Sequence, residues 1–161
     1  MPIDTQQFRA VMSRFATGVT VVTTAIGEER FGITVNAFCS VSLDPPLVLI
    51  CIEKKSTVHD ALIESGVFAA NVLSADQVEV SSCFASNSGQ RFEQFCDQTT
   101  TTAMTGAPIL QHTLGYVDCR IVATYPGGDH TIIVGAVEAG AAVEGDPLLY
   151  FRSRYVHRSG E

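Results

Sequence analysis

Apolar residues recur at helical spacing near the start of the chain and at strand spacing through most of the rest. In IDTQQFRAVMSRFATG, the residues Phe8, Val11, Met12 and Phe15 fall three or four apart and form one apolar stripe on a helix. Asp4 suits the N-cap, Gln7 stands at capping-box spacing, and Gly18 is a candidate stop. The period then changes. VTVVTTAI is β-branched, GEER is a turn, and FGITVNAFCSVS is the return strand of a hairpin. LVLICIE, apolar on both faces, reads as a central strand.

STVHDALIESG reads as a short helix from Ser56 to Gly66, VFAANVLS as a strand, and ADQVEVSSCFAS as a second short helix. The polar stretch from Asn87 to Gly106 reads as a long loop. The last third is mostly strand: LGYVDCRIVATYP and HTIIVGAVEAGAAV around a Gly127-Gly128-Asp129 hairpin, then PLLYFRSRY. Strands that follow one another through turns disfavour a doubly wound parallel fold. They favour an antiparallel barrel with a few peripheral helices, although the pattern alone does not separate a barrel from a sandwich.

Composition narrows the function classes. At 161 residues and 46% hydrophobic, the chain has the size and content of one folded domain. The net charge of −7 argues against non-specific binding to nucleic acid or an anionic membrane surface, and the longest apolar run, PPLVLICI, is too short to span a bilayer. Five cysteines, an odd number with no CxxC pair, give no support to a disulfide framework or a zinc site. Cys39, Cys51 and Cys119 lie in strand-like runs and read as buried thiols. The four histidines lack metal-ligand spacing. With no apolar signal core at the N-terminus, a soluble protein of a reducing cytoplasm is expected.

Three polar clusters remain as candidate chemistry. Thr34, Asn36, Ser40 and Ser42 crowd one strand. They mark either an edge facing water or a wall where a bulge near Asn36-Ala37 offers backbone groups to a ligand. Lys54 and Lys55 precede a helix capped by Ser56 or Thr57, which is either an ordinary capped helix or an anion site suited to a phosphate monoester. His130 opens a strand after a glycine turn, where it is either a surface residue or a group at a barrel mouth.

Taken together, RFATGVTVVTT, GITVNAFCSVSLDPPLVLICIEKKSTVHDAL, FAANVLSADQ, GAPIL and GDHTIIVGAVEAG…PLLYFRSRY resemble the flavin reductase-like family. The resemblance spans roughly residues 5 to 155 and implies a mainly β chain: an antiparallel Greek-key split β-barrel with a few peripheral α-helices, one domain over residues 1–161. It implies an NAD(P)H-dependent flavin reductase, with FMN or FAD as flavin and NADH or NADPH as co-substrate. Such a reductase would supply reduced flavin to a partner monooxygenase. It further implies that Thr34, Val35, Asn36, Ala37, Ser40 and Val41 line the flavin, that Lys55, Ser56 and Thr57 hold its phosphate, and that Phe84, Ala85 and Phe92 cover another side, with Asn71 near the pocket. By the same resemblance, His130 is the catalytic residue beside the nicotinamide, with Tyr150, Arg152 and Arg154 in the same nucleotide site, and the chain pairs as a homodimer. The alternative is a flavin-binding electron carrier of the same fold without pyridine-nucleotide turnover.

Overall fold

The β-branched runs pair into one antiparallel sheet that bends back on itself. The structure, a computed structural model, describes residues 2–158. In chain order the elements are α1 (Thr5–Met12), β1 (Thr17–Gly18), β2 (Thr20–Ile26), β3 (Glu29–Val35), β4 (Phe38–Leu43), β5 (Pro46–Glu53), α2 (Thr57–Ser65) and β6 (Val67–Val72). A 3-10 turn and α3 (Val78–Phe84), α4 (Gly89–Gln94), a 3-10 turn (Phe95–Asp97), β7 (Thr100–Thr101) and β8 (Ile109–Leu110) follow. The chain ends in β9 (Gly115–Gly127), β10 (His130–Ala142), β11 (Leu149–Phe151) and β12 (Arg154–Val156).

The main sheet has the order β3-β2-β6-β9-β10-β5-β4. Its outermost strands, β3 and β4, are joined by Asn36 and Ala37 alone. Laid flat, seven strands would hold their edges roughly 29 Å apart. The step from Val35 to Phe38 spans at most about 11 Å. The sheet therefore curls until its edges meet at Asn36-Ala37. The expected single return strand FGITVNAFCSVS is in fact two strands on opposite edges, which corrects that reading.

Inside the curl, Val22, Val35, Val48, Ile50, Ile52 and Phe68 form the main core, closed on one side by Val58 and Leu62 of α2. Helix α2 is capped as expected: the Ser56 hydroxyl accepts from Val58 N, and Gly66 (φ 72°) ends it. A second cluster packs Val21, Leu73, Phe84, Phe95 and Leu148. A Cβ at Gly32 would come within 2.5 Å of the Phe84 ring, so only glycine lets α3 seat this closely on β3.

Several expectations are corrected. Helix α1 ends at Met12 with Ser13 as its cap, and Gly18 lies in β1. None of its residues is buried, so the stripe of Phe8, Val11, Met12 and Phe15 faces outward, each more than half exposed. The expected loop from Asn87 to Gly106 contains α4, the second 3-10 turn and β7. Cys83 and Cys96 are joined in a disulfide, contrary to the cysteine reading, and Cys39 is exposed. PLLYFRSRY is not one strand: Arg152 and Ser153, both with positive φ, fold it into the β11–β12 hairpin. Among the described residues, no helix is long and apolar enough to cross a membrane.

Candidate functional site

The Asn36-Ala37 junction opens onto the largest cavity described, about 680 Å³. Leaving β3, the chain turns sharply, with Phe38 N donating to Asn36 O (3.0 Å), and re-enters the sheet where Cys51 N donates to Ala37 O (3.1 Å). The junction is braced from within. Thr20 Oγ1 donates to Val35 O and Thr34 Oγ1 donates to Ser81 O, both at 2.6 Å. The cavity lies between Met12 and Phe15 beside α1, Thr17 on β1, and Asn36, Cys39 and Cys51 on the sheet. Its size falls within the range of small-molecule sites.

The outer face of β5 and β10 extends from this cavity to the strand ends at Glu53 and His130. Cys51 stands opposite Ile132, and Glu53 opposite His130. Directly opposed residues share a face, and faces alternate along a strand. His130 thus shares the face of Cys51, one pleat (about 7 Å) nearer to α2. Here Lys54 N donates to Asp129 O (2.9 Å), fixing the β9–β10 turn to the α2 entry. His59 Nε2 meets Thr131 Oγ1 at 2.8 Å and ties the helix to β10. Lys54, Lys55 and Thr57 are exposed around the Ser56 cap. Apolar cavity and imidazole follow one another along one sheet face, and the lysines that precede α2 leave the end of β5 next to His130.

His130 is held by its neighbour, with Nδ1 lying 2.7 Å from Asp129 Oδ1. That hydrogen bond, and then the charge attraction, holds the Asp129 carboxyl below its usual range. With Asp129 on Nδ1, the Nε2 edge is the one left for a ligand. Burial, and then the nearby Cys39, push the Cys51 thiol up, so it stays protonated and apolar on the wall. Thr17 Oγ1 is, among the described residues, the buried side-chain polar atom without a hydrogen-bond partner.

A smaller cavity of about 190 Å³ adjoins the first at Val19 and Asn36 and is bounded by Thr34, Ala85, Tyr150 and Tyr155. Ser81 Oγ and Tyr155 Oη are 2.7 Å apart, and the Tyr155 ring meets Tyr150 edge-on with centroids 5.5 Å apart.

The structure brings Thr34, Asn36, Ala37, Ala85 and Tyr150 to the two cavities and His130 to the end of the sheet face, while Lys55, Ser56 and Thr57 lie at the entry to α2 that follows β5. Other named residues stand elsewhere. Asn71 is fully buried, its amide donating to Val21 O and Thr23 Oγ1 and accepting from Leu110 N, so no polar atom is free for a ligand. Phe84 is fully buried, edge-on to Phe95. These two are set in the core rather than the cavity wall. Val35 is buried and can offer only backbone. Ser40 and Val41 are exposed on edge strand β4 around a register shift, and Phe92 is exposed on α4 under the Arg91 guanidinium. Arg152 and Arg154 lie exposed in the β11–β12 hairpin. Thr17, Cys39, Cys51, Ser81, Asp129 and Tyr155 were missed by the sequence reading. All but Ser81 lie in stretches quoted for the resemblance, but nothing local to them signals a site.

Comparison with known proteins fits this geometry. The family model described as a flavin reductase like domain matches residues 12–159. The chain is 45% identical over 147 residues to the FMN reductase (NADH) SmoA of Agrobacterium fabrum, covering 91% of this chain and 82% of that protein. It is 38% identical over 156 residues to HsaB of Mycobacterium tuberculosis, the reductase subunit of a flavin-dependent monooxygenase, covering 95% and 82%. Among solved structures, the NADH:FAD oxidoreductase SgcE6 of Streptomyces globisporus, in complex with NAD and FAD fragments, superposes with a TM-score of 0.89 at 36% identity, covering 99% of this chain and 97% of that one.

Proposed function

The chain belongs to the flavin reductase-like family, and from that premise we propose that it is one flavin reductase-like domain that transfers hydride from NADH or NADPH to FMN or FAD and supplies reduced flavin to a partner monooxygenase. The observation that carries this reading is the sheet face that runs from the apolar cavity to His130, at the strand end where β5 passes into the cationic start of α2.

The residues present fit a flavin mononucleotide moiety. An apolar wall suits a planar ring, the buried Thr17 hydroxyl beside that wall has no protein partner, and the exposed lysines with the helix N–H groups suit a phosphate. When bound, flavin supplies the ring that accepts the hydride. The protein's part is placement. Asn36 and Ala37 offer backbone groups at the cavity edge, and their small size lets a ring approach the main chain. Lys55, Ser56 and Thr57 anchor the anionic end. His130, oriented by Asp129, presents Nε2 to the nicotinamide side, with Tyr150 on the wall of the smaller cavity. No covalent nucleophile is needed, which accounts for a catalytic site with so few titratable groups.

The test is spectrophotometric. Loss of NADH or NADPH absorbance is expected to accelerate with added FMN or FAD and to saturate in flavin. No rate above the free-flavin background in any of the four combinations would overturn the reading.

The outward stripe of α1 belongs to the same proposal. Phe8, Val11, Met12 and Phe15 set four large apolar side chains, each more than half exposed, along one stripe. A second copy covers it, in a homodimer. Light scattering during size-exclusion chromatography is expected to give twice the mass of one chain; a monomer at micromolar concentration refutes it. A cytoplasmic setting follows from the nicotinamide substrate, while the Cys83–Cys96 bond is the feature that favours a less reducing one.

A further inference from the structure

One half of the disulfide, Cys83, stands two residues before Ala85 in the wall of the smaller cavity. Cys83 lies near the end of α3, the helix whose Ser81 holds two cavity residues: its hydroxyl meets Tyr155 Oη, and its carbonyl accepts from Thr34 Oγ1. Ala85, the cap of the same helix, is itself in the cavity wall. Across the bond, Cys96 sits between Phe95 and Asp97, and all three have left-handed backbone (φ 50°, 52° and 57°). None is glycine, so each holds a backbone conformation that L side chains rarely adopt. The segment is held down by the sulfur bridge, by Phe84 against Phe95, and by the Arg30 guanidinium 4.5 Å from the Phe95 ring centroid. Cys83 is half-buried and Cys96 buried, so Cys83 is the more accessible of the two.

We infer that Cys83–Cys96 is a reversible thiol–disulfide exchange site that sets the shape of the smaller cavity and answers to dithiol reductants. A dithiol's thiolate attacks the Cys83 sulfur and Cys96 leaves as a thiolate that takes up a proton. The reductant's second thiol then displaces Cys83, forming the reductant's own disulfide and leaving two protein thiols. Two electrons and two protons pass to the protein. Once released, the strained 95–97 turn relaxes, the end of α3 loses its tether, and the Ser81 contacts to Thr34 and Tyr155 loosen. Because the smaller cavity carries Tyr150, assigned to the nicotinamide, together with Thr34, Asn36 and Ala85, assigned to the flavin, the effect falls on nucleotide use and on the flavin wall rather than on phosphate anchoring at α2.

The experiment compares air-purified protein with protein treated with dithiothreitol, and with C83S, by three readouts. Alkylation with mass spectrometry is expected to find Cys83 and Cys96 blocked in air and both labelled after reduction. Hydrogen exchange is expected to rise on reduction in residues 81–98 and to stay unchanged in β5 and β10. Where turnover is measured, KM for the nicotinamide nucleotide is expected to rise about two- to tenfold, and C83S is expected to match the reduced protein and ignore dithiothreitol. Free thiols at both positions in air-purified protein, or reduction that leaves exchange in 81–98 unchanged, would overturn the inference. So would an unaltered nucleotide KM in an active preparation. A protein inactive with every nucleotide and flavin would refute the proposed function, while labelling and exchange would still decide the disulfide.

Discussion

Replacing His130 with alanine is expected to lower kcat/KM for the nicotinamide nucleotide by about 10- to 100-fold, with flavin affinity changed by less than about twofold. The expectation rests on position. His130 shares the sheet face of Cys51 and is fixed by Asp129 at 2.7 Å, while the groups suited to the flavin phosphate lie on α2, a separate element. Losing an oriented imidazole misplaces the second substrate without removing the first. His130→Asn, which retains a donor of similar reach, is expected to recover part of the loss. The check is steady-state kinetics in both substrates, with flavin binding followed by fluorescence. Equal losses in flavin binding and nucleotide use would place His130 in the flavin site, and unchanged kinetics would remove it from the site.

The largest stability effect is expected away from the cavities, at Asp118. This fully buried residue accepts from Met104 N at 2.8 Å and from Thr105 N at 2.9 Å through one carboxylate oxygen, and from the Thr105 hydroxyl through the other. The 102–106 segment has little regular structure, so this carboxylate stands in for its missing ladder bonds. Asp118→Ala leaves two backbone donors and a hydroxyl without their partner. Some regain water, because Met104 is exposed, so a loss of about 2–4 kcal/mol is expected. For a chain of this length, that lowers Tm by on the order of 10 °C. Thermal unfolding followed by circular dichroism checks it; a fall of only a degree or two would mean that the segment holds without the carboxylate.

The parts of the fold legible in the sequence are those where local chemistry and tertiary role agree. VTVVTTAI could hardly be anything but strand, and Ser56 with Gly66 bracketed α2 because capping is a local matter. What escaped depends on residues distant in sequence. The amphipathic stripe of α1 correctly signalled a helix but could not say whether its apolar side would meet its own core. GQRFEQ is one short turn of helix without a stripe, so α4 passed for loop. Cys83 and Cys96 are brought together by the packing of α3 against the turn that follows α4, and no spacing rule anticipates that. At the site, the Ser56 cap was readable from residue type, and a bulge near Asn36-Ala37 was one of two readings of that stretch. Asn71 and Phe84 were not readable, because a polar or aromatic residue near a ligand and one locked in the core look alike until hydrogen-bond partners and burial are known.

The two-residue join between β3 and β4 also bears on how the chain is made. The β4–β5 hairpin, whose apolar residues occupy both faces, emerges early, yet β5 must wait for β10, about 80 residues further on, which at roughly 5–20 residues per second means several seconds on the ribosome. Throughout that interval Val48, Ile50 and Ile52 have no finished interior to enter. The nascent chain thus passes through a stage with an unpaired, hydrophobic strand edge, the condition under which strands from different chains join. Yield of folded protein should therefore depend on synthesis temperature and on chaperone supply more than the stability of the finished molecule would suggest.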